Sequence, residues 1–122
     1  MRRSTRHYLV AAGLVTVALW RPLRRVQVAG DSMLPALHPG DRLLVRRAGR
    51  IRPGHVVAVT DPRLASRTMV KRVADIGPAG VTVLGDNAAA STDSRTLGPV
   101  ARSAVRGRAF YRYFPTVRRG RL

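Results

Sequence analysis

Ser32 stands in the run Gly30-Asp31-Ser32-Met33-Leu34-Pro35, at a break between a strand pattern and a short turn. Gly30 lets the backbone bend there. Such a corner can expose a hydroxyl and leave neighbouring N–H groups free for an oxyanion. The plainer reading is a serine that caps the turn. A serine nucleophile needs a base. His7, His38 and His55 are far apart and none stands beside a plausible partner aspartate. Lysine serves as a base when burial lowers its pKa toward neutrality. Arginine cannot, because it stays protonated in proteins. Lysine occurs once here, at Lys71, whereas all the other residues among the 23 Lys and Arg are arginine. Lys71 lies in the apolar stretch Met69-Val70-Lys71-Arg72-Val73, which is a setting for desolvation. One lysine left over by chance is the plainer alternative.

A third stretch, Gly85-Asp86-Asn87 through Ser91-Thr92-Asp93-Ser94-Arg95, reads as a long polar loop. Asp93 and Arg95 are spaced for a local ion pair. Loops of this length in compact domains are often functional.

These side chains need elements to hold them. The chain has 122 residues and is 45% hydrophobic, enough for one folded domain. It has no cysteine, which excludes a disulfide scaffold, a thiol nucleophile and a cysteine-built metal site. The three scattered histidines make no metal-ligand pair, so no metal and no cofactor is expected. From residue 26 the pattern is short strands punctuated by turns. Strands are expected around Val26 and Val28, over Asp41–Arg47, His55–Thr60, Arg67–Ile76, Val81–Leu84 and Val105–Phe114. Within the fourth, Met69, Lys71, Val73 and Asp75 are expected on one face. Residues 85–99 are expected to be loop, and residues 118–122 to fray. The sum is a mainly β domain with a small twisted or coiled antiparallel sheet. Three segments result: a basic and apolar start over 1–25, a β domain over 26–115 and a basic tail over 116–122.

Residues 8–20 are an unbroken apolar run flanked by arginines. A full bilayer span takes about 20 residues. The run resembles the start of a signal peptide without a clear cleavage site. It is read as an apolar helix: a short membrane anchor, an interfacial segment or a helix packed on the domain. Arginines at both ends leave its orientation open. The formal net charge of +17 would suit a nucleic-acid or anionic-lipid partner. The basic residues are spread along the whole chain, however, and four of the six aromatics crowd into residues 110–114. A stacking platform for nucleic acid is therefore not expected.

In order and spacing, four stretches resemble the boxes of the type I signal peptidases, which are Ser/Lys serine proteases. They are Ser32-Met33-x-Pro35, Gly40-Asp41-x-x-x-Val45, Lys71-Arg72, and Gly85-Asp86-Asn87 with Ser91-x-Asp93-Ser94-Arg95. The resemblance covers about residues 26–115 and implies the signal peptidase type of β domain. It implies that Ser32 is the nucleophile, Lys71 the general base and Ser91 the residue orienting the lysine. It implies that the Ser32 N–H serves the oxyanion hole. Gly30, Asp31, Met33, Asp86, Asn87, Asp93, Ser94 and Arg95 would shape the site. Some members carry a serine two residues before the nucleophile; this chain has Gly30 there. The large inserted domain of some members is absent, as is the glycine and Pro-Gly-Asp that usually follow the Lys-Arg box.

Val70-Lys71-Arg72-Val73, Gly85-Asp86-Asn87, Ser91–Arg95, Gly98-Pro99-Val100 and Asp61-Pro62-Arg63 are also similar to the maturation proteases of nickel-type superoxide dismutase. That likeness implies a precursor protein as substrate, the dismutase precursor with its N-terminal extension. It implies a bacterial protein, membrane-associated or cytoplasmic. The alternatives are a general signal peptidase acting on secretory precursors, a self-cleaving repressor-type Ser/Lys protease, and a non-catalytic basic module for nucleic acid or lipid.

Overall fold

The computed structural model describes residues 23–122 except Ala48. The expected apolar helix within residues 1–25 lies outside the described residues. Among the described residues no helix is long and apolar enough to cross a membrane.

Seven strands form one antiparallel sheet. They are β1 (Leu23–Gln27), β2 (Arg42–Arg46), β3 (Val56–Asp61), β4 (Leu64–Gly77), β5 (Gly80–Leu84), β6 (Val105–Phe114) and β7 (Gly120–Arg121). The order across the sheet is β1-β2-β6-β3-β4-β5, with β7 paired to β6. The mainly β expectation holds, and the range expected for the last long strand coincides with β6. The hairpin β3–β4 turns tightly through Pro62-Arg63, where the Asp61 carboxylate accepts from the Arg63 N–H at 2.8 Å and from its guanidinium. This pairing takes β4 three residues further back than the apolar pattern indicates.

Alternation along β3 and β4 feeds two cores, one on each face. Val56, Ala58 and Val70 join Val28, Met33, Leu37, Leu43, Val45 and Ala109 in one cluster. Val57, Val59 and Val73 join Val81, Val83 and Val100 in the other. With both faces covered, β3 is buried along nearly its whole length. Lys71 pairs with Val57 across the sheet and so belongs to the second face. The expected face Met69, Lys71, Val73 and Asp75 is broken at its end. A register shift between Val73 and Asp75 lets the strand bulge, and Asp75 is exposed.

Two further regions differ from the sequence expectation. The span 85–99 holds a 3-10 turn at Ala88–Ala90 and a helical turn at Ser94–Leu97, the latter capped by the Asp93 side chain. The end of the chain does not fray. Gly120 and Arg121 pair with β6, and Leu122 packs against the first core. The buried carboxylate of Asp41 holds this end through Arg118, and holds β6 through Arg112 at 3.1 Å.

Candidate active site

The Ser32 corner follows β1. Gly30 has φ +74°, a left-handed conformation that side chains rarely adopt, so the bend expected at this glycine is present. Met33 points the other way, fully buried in the first core, and thereby fixes Ser32 on the half-buried rim. Met33→Ala is expected to lower stability by about 2–5 kcal/mol, the usual range for truncating a buried methionine. Chemical denaturation at neutral pH measures it; a change under about 0.5 kcal/mol would show that Met33 does not anchor the corner.

The corner is tied to the loop after β5. The Asn87 N–H donates to the Ser32 carbonyl at 2.8 Å, and Asn87 Nδ2 donates to the Asp31 carbonyl at 3.1 Å. The Asp31 side chain is exposed, and the residue contributes this carbonyl. Gly85 sits under the same contact. A Cβ there would lie 2.6 Å from the Ser32 carbonyl oxygen and 2.2 Å from Ser91 Oγ. Only glycine lets the two segments approach this closely. Among the described residues the Ser32 N–H has no hydrogen-bond acceptor.

Lys71 is 4% exposed. Its Nζ donates to Ser91 Oγ at 3.0 Å rather than to the Ser32 hydroxyl. Ser91 Oγ in turn donates to Asp93 Oδ2 at 2.6 Å. Asp93 is fully buried and accepts at both oxygens: from the Gly85 N–H, the Arg95 N–H and the Arg95 guanidinium, all within 2.8–3.1 Å. The expected Asp93–Arg95 ion pair is present at 2.9 Å, and Arg95 also donates to the Gly85 carbonyl. Lys71, Ser91, Asp93 and Arg95 therefore form one chain of contacts.

The electrostatics follow from these contacts. Burial lowers the pKa of Lys71. Asp93 and Asp61 oppose that shift, while Arg95 and Arg63 add to it. Burial by itself would raise the Asp93 carboxyl. The hydrogen bonds from Ser91, the Gly85 and Arg95 N–H groups and the Arg95 guanidinium outweigh burial and hold it at about 2. Asp93 is thus ionised at neutral pH, whereas the neutral form of Lys71 is favoured relative to a lysine in water.

Two residues named from the sequence serve elsewhere. Ser94 Oγ accepts from the Val83 N–H at 2.9 Å, fastening the loop to β5. Asp86 forms a two-pronged pair with Arg72, at 2.9 and 2.8 Å, on the opposite face of β4 from Lys71. Sequence reasoning left Arg72 without a role. Its signal is the Arg72↔Leu84 register, which sets Asp86 two residues past its cross-strand neighbour. Beside this pair lies a cavity of about 470 Å³, walled by Pro53, Gly54, Val73, Leu84, Gly85 and Arg95. Among the described residues no cluster of His and Asp is suited to a metal ion.

An antiparallel sheet that brings a serine corner, a buried lysine and a Ser-x-Asp-Ser-Arg loop together fits a signal peptidase type of domain. The chain belongs to the family described as signal peptidase, peptidase S26, which matches residues 1–83 and 74–114. It is similar to two proteins of Arabidopsis thaliana. The mitochondrial ATP-independent inner membrane protease subunit 1a is 40% identical, over 72% of this chain and 68% of that protein. Subunit 1b is 29% identical, over 70% and 67%.

Proposed function

We propose that this protein is a serine endopeptidase in which Ser32 is the nucleophile and Lys71 the general base. The observation that carries the reading is the buried Lys71 amine, held by Ser91 and desolvated on an apolar face. A neutral amine there takes the Ser32 Oγ proton as the oxygen attacks the scissile carbonyl carbon. The Ser32 N–H donates to the resulting oxyanion. The protonated lysine then passes its proton to the leaving amine, and the C–N bond breaks. Water attacks the acyl-enzyme with Lys71 again as base, which frees Ser32. Ser91 and Asp93 are positioning residues, since they act through the amine. Residues 26–115 form the catalytic domain, and residues 8–20 associate with a membrane.

The substrate is a precursor protein from which an N-terminal extension is removed. Nickel-type superoxide dismutase precursor is the favoured substrate. The support is the sequence run Val70–Val73, Gly85–Asn87, Ser91–Arg95 and Gly98–Val100. A second reading, general cleavage of precursors delivered to a membrane, is favoured by the relatives, which are named inner membrane proteases.

Intact mass after incubation of the dismutase precursor with this protein, and with its Ser32→Ala variant, tests the proposal. A defined N-terminal loss, absent with the variant, is the expected result. No loss, with a secretory precursor cleaved under the same conditions, would overturn the dismutase assignment and leave the second reading. Cleavage retained in Ser32→Ala would overturn the nucleophile.

A further inference from the structure

Asp41, Asp61, Asp86 and Asp93 are each paired with arginine. Among the described residues most arginines have no acid partner, and three of these line one pocket. Arg24 of β1, Arg47 just past β2 and Arg106 of β6 line a pocket of about 290 Å³, together with Ser103, Val45 and Val105. Among the described residues no carboxylate lines it. Among the described residues, none of the three guanidiniums has a salt bridge or a side-chain hydrogen bond. The volume is at the small end for ligand pockets, which begin near about 300 Å³.

Three like charges around one concavity repel each other, and an anion placed among them relieves that repulsion. Guanidinium groups match tetrahedral oxyanions in shape and donate in pairs. Ser103 supplies a further donor. We propose that this pocket binds a phosphate-type oxyanion.

The position favours the phosphodiester of an anionic lipid as its source. Arg24 comes four residues after Trp20, the end of the apolar run 8–20. A strand that starts so soon after such a run stays near the surface the run enters. This choice of source rests on the membrane association proposed above; the pocket itself does not.

Side-chain Nε–H resonances of arginine in the full chain, held in nonionic detergent, provide the test. The probes are inorganic phosphate, dihexanoyl phosphatidylglycerol and dihexanoyl phosphatidylcholine at matched ionic strength. Binding is read in the Ser32→Ala protein as well, so failure of the peptidase reading does not affect it. Phosphate and phosphatidylglycerol are expected to shift the Arg24, Arg47 and Arg106 signals saturably. The triple variant Arg24→Gln, Arg47→Gln, Arg106→Gln is expected to bind about a hundredfold more weakly, at about fivefold per arginine. The charge-matched control Arg52→Gln, Arg119→Gln, Arg121→Gln is expected to change less than about threefold. Phosphatidylglycerol binding at least about tenfold tighter than phosphate identifies the lipid source; equal affinity identifies a free phosphate. Equal losses in the two triples, uniform shifts of all arginines, or equal binding of phosphatidylcholine would each overturn the pocket.

Discussion

Lys71→Arg is expected to reduce cleavage at least about a thousandfold, within the range for loss of a general base. The positive charge is kept, so an electrostatic role alone would survive the change. A guanidinium stays protonated even when desolvated and cannot accept the Ser32 proton. The environment that favours a neutral amine offers arginine no such relief. Lys71→Gln, which carries no charge at all, is expected to fall as far, provided denaturation shows both variants folded. Adding Ser32→Ala to either variant should lower the rate no further, because nucleophile and base act as a unit. Turnover of a cleavable peptide by Lys71→Arg above about one tenth of wild type would sink the lysine as base. Burial, the largest influence on Lys71, lowers its pKa. Activity should therefore rise with pH through that lowered pKa and then level off. A profile flat between about pH 6 and pH 10 would count against a titrating lysine.

The sequence made the chemistry-bearing segments legible because each combines an unusual residue with a local reason for it. A lone lysine between Met69 and Val73, in a chain otherwise basic through arginine, marks a buried strand position. Gly30 marks the bend before Ser32. Asp93 and Arg95 are near neighbours, so their pair is local. Strands covered on alternate residues, such as β6, show their limits in the sequence. What escaped was non-local. Asp41 meets Arg112 and Arg118 more than 70 positions away, and no local pattern announces such a pair. The strand Gly120–Arg121 is held by backbone pairing and by that buried carboxylate, so it has no apolar period to read. Within the site, the close approach of the Ser32 corner to Gly85 joins segments from opposite ends of the sheet order. It shows only in the folded sheet.

The second large effect is expected at Asp93. Both of its oxygens face donors: the Gly85 N–H, Ser91 Oγ and Arg95 at Oδ2, and the Arg95 N–H and Nε at Oδ1. Asparagine matches the shape but replaces one acceptor oxygen by an amide NH2, which only donates. Whichever way the amide turns, donor meets donor in a fully buried position. The Arg95 guanidinium also loses its counter-ion. Asp93→Asn is therefore expected to lower stability at neutral pH by about 3–5 kcal/mol, the range for breaking a buried pair. The carboxyl is held at about 2 in the fold, below its ordinary value of 3.8. Its stabilising effect, about 2 kcal/mol, is complete above the unfolded pKa and is lost as pH falls from 3.8 toward 2. The wild-type protein should lose this increment over that interval and Asp93→Asn should not. Loss of the Ser91 anchor should also leave Lys71 poorly placed, lowering kcat more than it raises KM. Denaturation at a series of pH values, with peptide kinetics at neutral pH, measures both. An unchanged acid slope, or a variant as stable as wild type, would show that the Asp93 contacts do not hold the lysine's support in place.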